Sequence, residues 1–149
     1  MRVLLQRVNK ACVSINGKVI GRIGKGLVLL VGVAGDDTDK DINYLVEKVA
    51  GLRIFADDAG KFNLSIQDVK GELLIISQFT LLADTRKGRR PSFTEAAPPD
   101  QAESLFNEFV KRMHSTGLNT ETGEFQQYMQ VEIHNDGPVT IMLDSRDKF

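Results

Sequence analysis

The sequence predicts a single compact α/β domain: a mostly antiparallel (mixed) β-sheet flanked by two main helices, in an element order compatible with closure into a barrel. Three observations carry that expectation. Leu27-Val28-Leu29-Leu30-Val31-Gly32-Val33 is a continuous apolar run with the length and β-branched content of a strand buried on both faces. Two later stretches, after Asp36 and after Pro98, place apolar residues at helical spacing. Asn16-Gly17 separates two extended segments as a two-residue hairpin connection does.

Residues 2–9 and 11–15 read as extended, and Asn16-Gly17 returns the chain into Lys18–Ile23. The run at 27–33 then forms a central strand. Residues 36–39 supply the cap and first-turn acids of a helix whose Ile42, Leu45, Val46, Val49 and Leu52 share one stripe. Arg53-Ile54-Phe55 reads as a short strand ending at the Asp57-Asp58-Ala59-Gly60 turn. Glu72–Ser77 reads as an apolar strand running into Gln78-Phe79-Thr80-Leu81. Strand, helix and strand in this order suggest a crossover. Pro98-Pro99-Asp100 opens the second helix, with Ala102, Leu105, Phe106, Phe109, Val110 and Met113 on one stripe, ending before Gly117. Residues 125–134 alternate apolar and polar and residues 140–143 mirror them, so Gly137-Pro138 reads as the turn of a hairpin-like pair. No repeat, linker or low-complexity segment divides residues 1–149.

With 149 residues, one domain buries about 70% of its unfolded surface. Nineteen basic and twenty acidic residues leave a net charge of -1, which argues against non-specific coating of nucleic acid and leaves room only for a local basic patch. A single cysteine, Cys12, cannot form an internal disulfide and reads as a small core residue. No apolar run approaches the length of a membrane span and the first residues carry no export signal, so the chain reads as cytoplasmic, with no membrane partner.

The two histidines, His114 and His134, lie at no metal-ligand spacing, and there is no C-x-x-C, H-E-x-x-H, P-loop or G-x-S-x-G pattern. No metal and no cofactor is expected. The pairs Asp36-Asp37 and Asp57-Asp58 sit in turns, where aspartate ordinarily bonds the local backbone. Ser77-Gln78-Phe79-Thr80-Leu81 differs, because polar residues follow a buried strand directly and a sheet end offers main-chain N–H groups to a substrate. A strand continuing past a polar bulge fits the same spacing. Thr80 as a nucleophile needs an activating base, and none stands nearby in sequence. Arg86-Lys87-Gly88-Arg89-Arg90 puts four cations in five residues soon after that strand end. Composition alone favours a solvated loop, while its position beside the strand end raises the second reading, a phosphate clamp. Gly137-Pro138 is a backbone device: proline fixes φ and removes an N–H, glycine admits φ > 0, and only X–Pro bonds readily adopt the cis form.

Ser77-Gln78-Phe79-Thr80-Leu81 and Asn135-Asp136-Gly137-Pro138-Val139-Thr140, with Leu5-Gln6-Arg7-Val8, resemble the D-aminoacyl-tRNA deacylase (D-tyrosyl-tRNA deacylase) family. The resemblance runs nearly end to end, through Gly51-Leu52-Arg53-Ile54-Phe55, Gly60-Lys61-Phe62-Asn63, Arg90-Pro91-Ser92-Phe93 and Thr122-Gly123. It implies a homodimeric editing hydrolase that cleaves the ester joining a D-amino acid to tRNA, and glycine mischarged on tRNA-Ala. It further implies that Gly137-Pro138 is cis and enters the partner subunit's active site, where it rejects L-aminoacyl groups beside Val139, with Arg7 bracing the loop. Ser77, Gln78, Phe79 and Thr80 would line the pocket chiefly through main chain, with the tRNA 2′-hydroxyl assisting water in place of a side-chain base. Arg86, Lys87, Arg89 and Arg90 are the expected tRNA contacts. One departure stands out. Where relatives carry small residues between the Phe and Met of residues 125–129, this chain has Gln126-Gln127-Tyr128, larger polar groups at the pocket rim or the approach of the tRNA end.

Overall fold

The computed structural model describes residues 1–147. β1 (Arg2–Ile15) turns at Asn16-Gly17 into β2 (Lys18–Ile23), and β3 (Gly26–Gly32) follows. Then come α1 (Asp39–Gly51), β4 (Phe55–Ala56), β5 (Phe62–Leu64), β6 (Glu72–Ser77), a 3-10 turn (Phe79–Leu82), α2 (Pro99–His114), β7 (Thr120–Thr122) and β8 (Gln130–Asp144). The main sheet runs β2-β1-β3-β6-β7, with β8 also paired to β1. The β3–β6 and β6–β7 pairs are parallel and the rest of that sheet is antiparallel. The sheet curls until β2 approaches β7, where a Cβ on Gly21 would stand 3.1 Å from the Thr122 carbonyl oxygen. The predicted mixed α/β domain with two helices is therefore observed, as a nearly closed barrel.

Curling gives the sheet two apolar sides. Val8, Ala11, Val13, Ile23, Val28, Leu74 and Ile76 fill the inside. Val3, Leu5, Leu27, Leu29, Leu73 and Ile75 face outward beneath Ile42, Leu45 and Val49 of α1 and Phe106, Phe109 and Met113 of α2. β3 alternates between the two sides, which is why its sequence is apolar at nearly every position. In α2, Pro99 opens the first turn and Lys111, Arg112 and His114 stand in the last. Arg112 also ties the helices together, donating to Glu108 (2.8 Å), Asn43 (2.7 Å) and Asp39 (2.9 Å).

Several expectations are corrected. β1 is one strand rather than two segments. The cap and first-turn acid of α1 fall within residues 36–39 as expected, with Thr38 at the N-cap donating its N–H to the Asp41 carboxylate at 2.8 Å and Asp39 in the first turn. Asp37 bonds the local backbone as expected, accepting from the Ala34 N–H at 2.6 Å, and is also buried and paired with the Met1 ammonium, which donates to Ser145 Oγ at 2.8 Å. Arg53 and Ile54 lie outside the strand, which begins at Phe55 and forms a separate ribbon with β5. The turn between them is as expected, with Asp57 accepting from the Ala59 (2.9 Å) and Lys61 (3.0 Å) N–H groups. The chain after Ser77 turns into a 3-10 helix rather than continuing as a strand. Residues 125–129 are a loop, because Gln126 takes φ 62 and the Gln127 N–H bonds the Glu124 carbonyl at 3.3 Å.

The hairpin expected at Gly137-Pro138 is also absent. Both flanking segments pair with the same strand, β1, so they form one strand interrupted by a bulge. Gln6 faces Thr140 and Val8 faces Asn135, which leaves Asp136, Gly137, Pro138 and Val139 opposite Arg7 alone. Among the described residues no helix is long and apolar enough to cross a membrane.

Leu74 is fully buried inside the barrel. Leu74→Ala should lower unfolding stability by about 2–5 kcal/mol in urea denaturation. Val19→Ala, on an exposed strand position, should change it by less than about 0.5 kcal/mol.

Candidate active site

β3 and β6 end side by side, with Val31 registered against Ser77. The Gln78 N–H still bonds the Val31 carbonyl at 2.8 Å, after which the chain folds into the 3-10 turn. Gly32 makes that turn possible. A Cβ there would lie 2.5 Å from Leu82 Cδ2 and 3.0 Å from the Gln78 carbonyl oxygen, so the absence of a side chain lets residues 78–82 lie across the strand end. Phe79 and Thr80 carry leading N–H groups of this turn, which by geometry have no intrahelical acceptor.

A cavity of about 660 Å³ opens at this point. Ser77, Gln78 and Phe79 form part of its wall, Val33, Ala96, Ala97 and Ala102 another part, and Phe125 to Met129 a third. The Ala97 N–H bonds the Val33 carbonyl at 2.9 Å, which holds the second wall against the sheet. None of the lining residues is Asp, Glu, His, Lys, Arg or Cys. Thr80 is exposed and outside the lining, and its hydroxyl accepts from the Gln78 side-chain amide. The cavity therefore offers apolar walls, main-chain polar groups and two kinds of neutral side-chain polarity, amide and hydroxyl. It offers no side-chain base.

The bulge in β8 is a second centre. Gly137-Pro138 is a cis peptide bond, Gly137 has φ +126, and both residues are exposed. Arg7 fills the gap opposite. Its Nη1 donates to the Ile54 carbonyl (2.7 Å), its Nε forms an ion pair with Asp136 Oδ2 (3.1 Å) without hydrogen-bond alignment, and its guanidinium lies 5.2 Å from the Phe62 ring centre. The ladder opens at Arg7, and the Asn135 amide repairs it by donating to the carbonyls of Arg7 and Val139, each at 2.9 Å. Val139 is buried in the core beneath the helices and anchors the far end of the bulge. None of Arg7, Gly137, Pro138 or Val139 lines the cavity holding Ser77, Gln78 and Phe79.

Arg86, Lys87, Arg89 and Arg90 are exposed on a loop closed at its base by the paired Asp84 and Ser92 backbones (2.7 and 2.9 Å). Arg86 is spoken for: it forks onto Asp84 at 2.9 and 2.7 Å and holds that carboxyl far below the usual carboxylate range. Lys87, Arg89 and Arg90 carry no ion pair among the described residues, so their charges face solvent. Phe93, just past the loop, meets Phe79 edge-on at 4.9 Å, which fixes the loop beside the cavity.

Cys12 is buried and its thiol donates to Glu132 Oε2 at 2.9 Å. That bond, burial and the Glu132 charge push the thiol pKa up, so it stays protonated. No cluster of three or more His, Cys, Asp or Glu side chains able to hold a metal is present among the described residues. The sequence assigns Gly32 no role, and Ile54, Phe62, Asn135 and Asp136 fall within motifs but with no role of their own. Asn135 and Asp136 act beside Gly137, whereas Gly32, Ile54 and Phe62 act through contacts distant in sequence.

The model of the family described as D-Tyr-tRNA(Tyr) deacylase matches residues 4–144. A D-aminoacyl-tRNA deacylase of Dehalococcoides mccartyi is 56% identical over 149 residues, covering 100% of this chain and 97% of its own. The protein of the same name from Kosmotoga olearia is 55% identical and covers 100% of both. Among solved structures, the c-Myc DNA Unwinding Element Binding Protein superposes with a TM-score of 0.92 at 41% identity, over 97% of this chain and 98% of its own. A probable eukaryotic D-amino acid tRNA deacylase superposes with a TM-score of 0.85 at 18% identity, over 95% and 97%, and shares the fold.

Gly32→Ala should push the 3-10 turn off the strand end. Exchange of the Leu81 and Ala83 amides, which close the turn by bonding the Gln78 (3.2 Å) and Thr80 (3.1 Å) carbonyls, should then quicken about tenfold, or ~1.4 kcal/mol of local stability. Unchanged protection of both amides in hydrogen exchange would show that Gly32 is not what seats the turn.

Proposed function

The chain belongs to the D-Tyr-tRNA(Tyr) deacylase family, and on that premise we propose that it is an editing hydrolase that removes D-amino acids, and glycine mischarged on tRNA-Ala, from tRNA. One observation carries the reading. The cavity at the β6 end presents main chain and amides but no acid, histidine, lysine or arginine, so the chemistry done there is of a kind that needs no protein base. Hydrolysis of an activated ester meets that requirement. Water adds to the ester carbonyl carbon, the bond to the ribose oxygen breaks, and the ribose oxygen takes up a proton. The 2′-hydroxyl of the terminal adenosine assists the water, and the Phe79 and Thr80 N–H groups stabilise the developing oxyanion. Thr80 is not the nucleophile, consistent with a hydroxyl engaged by Gln78 and no base beside it.

Chirality is read by Gly137-Pro138. The bulge lies away from its own chain's cavity and both residues are exposed, which suits insertion into the cavity of a second copy. There the carbonyls flanking Pro138 accept the substrate amino group and leave no room for an L side chain. A gate that works by exclusion does not read the side chain it admits, so many D-amino acids, and glycine, pass. Arg7 and Asn135 hold the bulge in shape from behind. Lys87, Arg89 and Arg90 meet the tRNA phosphates, and with them the function is cytoplasmic.

A second reading, nucleic-acid binding without hydrolysis, draws on the exposed basic loop and on the binding function in the name of the 41% identical relative. Deacylation assays separate the two. D-tyrosyl-tRNA should be hydrolysed and L-tyrosyl-tRNA spared; equal rates, or binding with no hydrolysis, reject the editing reading. Thr80→Ala should keep near full rate, and a 2′-deoxy terminal adenosine should abolish it.

The gate has its own test. A Cβ on Gly137 would stand 2.9 Å from Val139 Cγ2 and 3.2 Å from Arg7 Nη2, at a φ that L residues rarely adopt. Gly137→Ala should reduce D over L discrimination about tenfold or more, an effect of ~1.4 kcal/mol, with a smaller loss of thermal stability. Unchanged discrimination in a folded variant counts against the gate.

A further inference from the structure

Tyr128 is 96% exposed, the most exposed of the large apolar and aromatic side chains among the described residues, yet it belongs to the wall of the cavity. Its backbone is pinned on both sides. Phe125 packs against the core beneath the helices and tilts onto the Phe106 ring at 6.3 Å, while Met129 packs against the barrel interior. The turn at Gln126 and Gln127 between them leaves Tyr128 pointing to neither core. A large ring held almost wholly in water on a pinned loop, at the mouth of a cavity, contributes nothing to folding and is placed to meet something outside.

The surroundings say what. Phe79, on another wall of the same cavity, is 56% exposed and leans on Phe93, and the loop before Phe93 carries Lys87, Arg89 and Arg90 free of ion pairs among the described residues. Exposed aromatic rings beside a cationic loop are how proteins hold unpaired nucleic-acid strands, the rings stacking on bases and the cations meeting phosphates. We propose that Tyr128 is a stacking platform for an unpaired base of the tRNA 3′ end, held outside the cavity while the aminoacyl ester occupies the interior. The proposal rests on the reading of aminoacyl-tRNA as substrate. Tyr128 is a specificity-determining residue in this scheme: it binds the polynucleotide and takes no part in bond breaking.

The test uses the full chain and an uncharged RNA oligonucleotide ending in CCA. The protein has two tyrosines and no tryptophan, so stacking on Tyr128 should quench much of the intrinsic emission, and Tyr44→Phe should leave that quench in place. Tyr128→Ala should weaken oligonucleotide binding about tenfold, near the low end for loss of one base–aromatic stack. Tyr128→Phe should stay within about twofold of the parent. On D-tyrosyl-tRNA the alanine variant should raise KM by a similar factor at unchanged kcat, and the phenylalanine variant should restore KM. Unchanged oligonucleotide affinity and KM in Tyr128→Ala overturn the proposal, as does a change of oligomeric mass with affinity unaltered. If the parent binds the oligonucleotide through Tyr128 but cleaves no ester, the editing reading fails and the platform stands. If it cleaves the ester with Tyr128 dispensable, the platform fails and the editing reading stands.

Discussion

β1 has two edges and three strands that use them. β8 takes one edge from Arg2 to Ser14, while β3 takes the other as far as Val8 and β2 takes it from Ala11 onward. Buried N–H and C=O groups must all find partners, so a strand shared in this way has to bend where its neighbour changes. The bend appears as register shifts on β1 between Gln6 and Lys10 against β8, and between Val13 and Ser14 against β2. From that bend follows the curl that separates the barrel interior from the core beneath the helices. The open end of β3 and β6, where the cavity forms, lies on the same curled sheet, and β1 reaches it directly where Arg2 donates to the Leu81 carbonyl of the 3-10 turn at 2.8 Å.

The same constraint explains the bulge. Four residues of β8 stand opposite Arg7, and a ladder interrupted by that much extra chain leaves main-chain groups without partners. Side chains make good the deficit: the Asn135 amide satisfies two carbonyls, and Arg7 reaches Ile54, Asp136 and the Phe62 ring. Shape is thus held by residues behind the bulge while Gly137 and Pro138 remain exposed. The two motifs that dominate the sequence are separate in one chain. Their meeting across two copies is part of the proposed function, and the exposure of Gly137-Pro138 is what makes that arrangement sterically available.

Much of the fold was legible because it rests on local signals. The Asn16-Gly17 connection, the doubly buried run of β3 and the helical stripes of α1 and α2 all appear where periodicity and turn chemistry put them. What was illegible depends on partners distant in sequence. Residues 125–129 alternate like a strand, yet a single positive φ at Gln126 turns them into a cavity wall. Residues 130–144 looked like two strands about a turn, and only their shared pairing with β1 makes them one. Asp37 bonds the local backbone as a turn aspartate does, whereas its pairing with the Met1 ammonium joins positions far apart in sequence and left no local signal. At the site, Ser77, Gln78 and Phe79 were found as a polar run at a strand end and do line the cavity, whereas Gly32 beneath them gave no signal, since a required absence of side chain looks like any other glycine.

The lining of the cavity has one further consequence. With no carboxylate, imidazole, amine or guanidinium on its walls, it has no charge there for protons to switch. Acidity therefore has little to act on inside it. In the proposed cleavage, a change with pH would then act first on the reactants, the amino group of the aminoacyl ester and the supply of hydroxide. Such a lining keeps its charge across conditions that would titrate a wall of carboxylates or imidazoles.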